Sequence, residues 1–114
     1  MDASSAITLG IGILVSAVLI GIGVLQWRSK KPVGFYSGEE PPTEKQVPDR
    51  RAWNRGHGML WIGYGSIMLA CFVLAVFVMS DPLYKALLMF AGGIFPVLLL
   101  VIGHNALIKK YKVM

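Results

Sequence analysis

Three long stretches almost empty of charge divide the chain. Ile7 to Leu25 runs 19 residues without a charged side chain, and Gly58 to Met79 runs 22. A third extends from about Leu83 to Ile108, with Lys85 near its start and His104 and Asn105 near its end. A helix rising 1.5 Å per residue needs about 20 residues to cross a hydrocarbon layer of about 30 Å, and all three stretches meet that length. None alternates polar with apolar residues over about ten positions, which leaves strands of a membrane barrel as the weaker alternative. The pattern predicts an all-α integral membrane protein of one domain. Helix one covers about 6–27 and a Pro/Gly-rich cytoplasmic loop 28–48. A short interfacial helix follows over 49–56, then helix two over 57–79 and helix three over 83–108.

The basic residues orient this scheme. Arg28, Lys30, Lys31, Lys45, Arg50, Arg51 and Arg55 lie between the first two stretches, and Lys109, Lys110 and Lys112 follow the third. Only Lys85 falls on the other side, and positive residues stay in the cytoplasm. The expected arrangement in the cell membrane is therefore multi-pass, with the N-terminus outside and the loop and C-terminus inside. The first stretch is expected to be a retained helix and not a cleaved signal, because its basic residues follow the apolar run instead of preceding it. The net charge of +5 is set within a chain that is 55% hydrophobic and only 15% charged. Those charges flank apolar runs and suit anionic lipid headgroups, which argues against nucleic acid as a partner. Trp27, Trp53, Tyr84 and Tyr111 stand where aromatic residues anchor at the headgroup layer. Asp81 followed by Pro82 predicts a capped start to helix three.

Small residues mark the faces on which the helices pack, since in lipid they let two backbones approach. Gly12 with Ser16 and Ala17 with Gly21 recur at a spacing of four in helix one, as do Ser66 and Ala70 in helix two. In helix three, Gly92 and Gly93 precede Pro96, which removes a helical hydrogen bond and predicts a kink near Gly92. Three helices make a thin bundle, so a homo-oligomer, most simply a dimer, is expected. Cys71, the single cysteine, reads as a small apolar residue. Ser16 and Ser66 are the polar residues at mid-depth, a thin basis for an ion path, and Tyr64 near one membrane face reads as an anchor.

The chemically richest positions gather at the cytoplasmic ends of helices two and three. Gly34, Phe35 and Tyr36 follow Pro32 and Val33 just past the membrane, with the two aromatic rings expected to dip toward lipid. Asp49 caps a short helix carrying Trp53, Asn54 and Arg55, expected to bend at Gly56 and Gly58 on its way into helix two. Topology sets His57 and His104, with Asn105 beside the latter, at a similar depth. The plainer reading makes the histidines interfacial groups bonded to backbone or lipid. The sharper one makes them a shared polar site with Asn54 and Arg55. Two histidines with no intramembrane acid make a poor metal set, so no metal or cofactor is expected. No phosphate loop, HExxH, paired carboxylates or nucleophile elbow occurs, and no catalytic residue is assigned.

The run Pro32-Val33-Gly34-Phe35, a polar loop with Pro41-Pro42, then Ala52-Trp53-Asn54-Arg55-Gly56-His57-Gly58 leading to Trp61 and Gly63-Tyr64-Gly65, resembles small membrane proteins of Gram-positive bacteria. It is more distantly similar to the SdpI-like immunity and signalling family, in which a Trp-x-x-x-His spacing enters a helix; Trp53 and His57 occupy that spacing here. Tyr36-Ser37 stands where that family carries Arg-Thr, and the loop is longer. The resemblance covers about 40 residues and implies a location for a site, without an activity. Two functions are then open. One is a non-enzymatic membrane protein acting through protein or lipid contacts at its cytoplasmic face, as an accessory or immunity-like subunit. The other is a small oligomeric transporter or channel with its path between copies.

Overall fold

The structure, a computed structural model, describes residues 2–34, 42–43 and 45–112. Among these residues there are four helices and no strand: α1 (Ala3–Trp27), α2 (Arg50–Phe77), α3 (Pro82–Ile94) and α4 (Pro96–Tyr111). Ala3–Trp27, Arg50–Phe77 and the combined Pro82–Tyr111 are each long and apolar enough to cross a membrane, the make-up of a multi-pass membrane protein. Three aspartates start the helices. Asp2 accepts from the Ser5 amide at 2.7 Å, Asp49 from the Ala52 amide at 3.2 Å, and Asp81 from the Leu83 amide at 2.8 Å with Pro82 opening the helix behind it. Each carboxylate satisfies a backbone donor that the first turn leaves without a helical partner.

The helices form a row. α2 stands in the middle with α1 against one side and α3 and α4 against another, and α1 meets neither α3 nor α4. The α1–α2 seam is close because glycine faces glycine. A Cβ on Gly23 would fall 2.5 Å from the Gly58 carbonyl oxygen, and one on Gly58 would fall 2.6 Å from that of Gly23. Further along, a Cβ on Gly65 would lie 2.9 Å from the Ser16 carbonyl oxygen, and Gly12 leaves room for the Phe72 ring. On the other side of α2, Gly103 accommodates Leu60 and Gly92 accommodates the half-buried Cys71.

Several sequence expectations change here. The short helix expected over 49–56 is the first part of α2, which runs unbroken for 28 residues through Gly56 and Gly58. Packing overrides the low helix propensity of glycine at both positions: Gly58 is held against α1, and Gly56 takes the side chain of Leu107 from α4. Gly12, Ser16, Gly92 and Pro96 are buried as packing positions. Ala17, Ser66 and Ala70 are exposed, and a Cβ added at Gly21 or Gly93 would meet nothing within 4 Å, so close packing between helices of a single copy does not call for a small residue at these five positions.

Helix three divides at Phe95. Pro96 has no amide proton to offer the Gly92 carbonyl, and the next turn closes instead through Leu98 N–H to the Phe95 carbonyl at 3.1 Å. The Gly93 carbonyl at this break accepts the hydroxyl of Tyr64. Tyr64 is thus a cross-helix bond between α2 and the break, in place of the headgroup anchor expected for it.

Candidate functional site

At 1.5 Å per residue α2 is about 42 Å long, some 12 Å more than a hydrocarbon layer of about 30 Å. The surplus at its first two turns is where the loop folds back. Trp53, Asn54, His57 and Gly58 are buried there, at positions i, i+1, i+4 and i+5 that share one helical face. Trp53 is 1% exposed and His57 fully buried, in a chain whose other large apolar side chains mostly lie open on the outside.

Asn54 organises the loop. Its Nδ2 donates to the Ser29 carbonyl at 3.1 Å and the Lys31 carbonyl at 2.9 Å, while its Oδ1 accepts from the Val33 amide at 3.1 Å. Two carbonyls and one N–H on three sides fix which end of the amide is nitrogen. The neighbouring Trp53 donates through Nε1 to the Val33 carbonyl at 3.0 Å, so both polar groups of Val33 are bound by consecutive residues of α2. Arg50 donates to the Ser29 carbonyl at 2.6 Å, and Gln26 of α1 donates to the Gly34 carbonyl at 3.3 Å. A chain without regular structure thereby has its backbone satisfied by side chains, which buried polar groups require. Pro32, Pro42 and Val47 pack inward beneath it. Val47 is held by a turn in which Thr43 N–H donates to Gln46 Oε1 at 3.0 Å and Val47 N–H to the Thr43 carbonyl at 3.1 Å.

Below this cap lies an aromatic stack that reaches α4. The Trp53 and His57 rings have centroids 4.3 Å apart at 48°, and the His57 and His104 rings are 5.1 Å apart and close to perpendicular at 70°. His57 Nδ1 lies 3.0 Å from the Trp53 carbonyl oxygen, and His57 Nε2 lies 2.8 Å from His104 Nδ1. A carbonyl only accepts, so His57 Nδ1 carries a proton. In the neutral pair His57 Nε2 is then a lone pair, and His104 Nδ1–H donates to it.

Of the positions singled out in the sequence, the structure brings together Gly34, Trp53, Asn54, His57 and His104. Arg55 and Asn105 are exposed and turn away from the cluster, being one residue removed from the buried face of α2 or α4. Phe35 and Tyr36 lie outside the described residues. Trp53 is no interfacial anchor, because its ring is enclosed between loop and histidine. Gln26, Ser29, Lys31, Val33, Val47 and Arg50 were not foreseen; four of them act through backbone groups or simple packing, which leave no trace in side-chain chemistry. Among the described residues no group of three or more histidine, cysteine or acidic side chains could hold a metal ion. No known family model matches the chain, and no curated protein or solved structure matches it.

Proposed function

We propose that this is a small non-enzymatic protein of the bacterial cytoplasmic membrane that acts through contacts made by the folded cap at the loop end. In this reading the N-terminus is outside, the cap and C-terminal tail are cytoplasmic, and the protein serves as an accessory or immunity-like subunit toward a membrane protein or anionic headgroups. The observation that carries it is the cap itself. Asn54 and Trp53 hold an irregular loop in one shape at the end of the molecule that carries most of the basic residues, with Arg51 and Arg55 exposed one turn apart beside it. A pre-shaped, charged surface spends little entropy on ordering when it binds. The similarity of the Trp53-to-His57 spacing to the SdpI-like family supports the same location. A homodimer fits the row of helices, since α1 and α3–α4 do not meet and Ser66 and Ala70 lie on a bare part of α2.

Photo-crosslinking groups placed at Arg51 and Arg55 in native membranes test the proposal. A discrete protein or lipid adduct is expected there, absent from a probe at Leu98 and lost when Asn54→Ala releases the loop. Absence of any adduct, or solute flux through the purified protein in liposomes, contradicts it; flux would favour the transporter reading. The grooves beside the helix break favour that reading little, being walled mainly by apolar side chains such as Ile67, Phe95, Pro96 and Leu99, with Cys71 in one and Tyr64 in the other.

A further inference from the structure

The stacked histidines have a proton capacity that follows from their geometry. His57 Nδ1 is committed to the Trp53 carbonyl, and the hydrogen bond between His57 Nε2 and His104 Nδ1, at 2.8 Å, joins the two rings. In the neutral pair His104 donates and His57 accepts. One added proton keeps this bond and makes it charge-assisted, whichever ring carries the charge. A second added proton puts an N–H on both facing nitrogens. Two N–H groups then face each other across the 2.8 Å gap between two cations, and the bond between the rings is lost.

We propose that His57 and His104 form a one-proton latch that fastens α4 to α2 and, through Trp53, to the loop cap, and that double protonation opens it. The ring that would move is Trp53. It stacks on His57 and also binds the Val33 carbonyl, so the pair and the cap share one side chain. The latch stores a proton and does not conduct one. Its inner end is a backbone carbonyl, which has no proton to pass on, so a path through His57 Nδ1 stops at Trp53.

The charged side chains on the elements around this end are mostly basic. Arg28 caps the end of α1; by sequence the loop holds Lys30, Lys31, Glu39, Glu40, Glu44, Lys45 and Asp49; Arg50, Arg51 and Arg55 are on α2; Lys109 and Lys110 are on α4, with Lys112 at its cap. Arg50 is half-buried and bonded to the Ser29 carbonyl, Lys112 is half-buried, and Arg28, Lys30, Lys31, Lys45, Asp49, Arg51, Arg55, Lys109 and Lys110 are exposed. Their titration leaves histidine as the group that changes charge near neutral pH. The latch is independent of whether the cap engages a partner, so it survives or fails separately from the proposed function.

The test uses the full chain in lipid bilayers with nitrogen-15 histidine. At neutral pH both rings are expected to carry their proton on Nδ1, with an unprotonated Nε2 on His57 coupled across the hydrogen bond to His104 Nδ1. As pH is lowered, the coupling is expected to persist through the first protonation. It then vanishes together with amide protection at Val33. An Nε2–H tautomer on His57 at neutral pH overturns the proposal, as does loss of the coupling at the first protonation. The variant His104→Gln removes the second site. Its loop protection is expected to become independent of pH over the same range, and retention of the wild-type pH profile in this variant also contradicts the latch.

Discussion

The two ends of this molecule are held by different means. At the loop end, buried polar side chains fasten an irregular segment: Asn54 makes three bonds to it, Trp53 one, and two histidines join α2 to α4 beneath. Toward the opposite end, contacts are apolar and small: Gly12 meets Phe72, Gly92 meets Cys71, and Leu83, Phe77, Leu87 and Phe90 lie open on the outside. In lipid those open side chains are already in an apolar solvent and gain little by meeting each other. Specific shape therefore comes from polar groups at the loop end, and along the apolar helices mainly from glycine contacts, with the Tyr64–Gly93 bond beside them.

The contrast can be broken most forcefully at Trp53. Replacing it with alanine removes the ring shared by cap and histidines, and a cost of about 3–5 kcal/mol is expected, as for large aromatic cores. Steric trapping or denaturant unfolding in micelles measures it, and the same change at exposed Phe90 is expected to leave stability within about 0.5 kcal/mol. A smaller loss follows from Gly58→Val, whose side chain must enter the carbonyl of Gly23. About 1–3 kcal/mol is expected from overpacking, against little effect for Gly63→Val, where nothing lies within 4 Å of the new Cβ. Equal losses at both glycines would sink the account of the α1–α2 seam.

Tyr64→Phe is milder. It leaves the Gly93 carbonyl without its hydroxyl donor at the helix break, and cross-helix bonds in membranes are worth about 0.6 kcal/mol on average. Increased amide exchange confined to residues around Phe95 is expected, with the cap unaffected.

The smallest effect belongs to Asp2. The Ser5 amide, followed by the Ser5 side chain, holds its carboxyl below the ordinary aspartate range. A lowered carboxyl adds its stabilisation above the unfolded-state value and loses it as pH falls through the folded-state value. Fraying of the first turn of α1 is therefore expected only in strong acid, and at every pH in Asp2→Ala, with no change at Val33.

Much of the fold was legible because the apolar runs are long and lipid admits few structures; the positions of α1, the apolar part of α2 and the proline break follow from residue types alone. The continuous α2 was less legible, since Gly56 and Gly58 read as breakers until their partners Leu107 and Gly23 are known. The site was half visible. Asn54 and His57 share a helical face with Trp53 and Gly58, and polar residues on a buried face call for partners. Those partners are mainly backbone carbonyls of Ser29, Lys31 and Val33, which any residue type supplies, so no sequence pattern announces them. Asn105 was a natural companion for His104 by adjacency, but one step along a helix turns the side chain by about 100°.

Amide exchange at Val33, in the full chain in lipid bilayers, reports whether the cap is fastened. Val33 lies in a segment without regular structure, yet its N–H donates to Asn54 and its carbonyl accepts from Trp53. Protection comparable to the interior of α2 is predicted, and lost in Asn54→Ala. Exchange at the rate of an open loop in the unaltered protein would contradict the account.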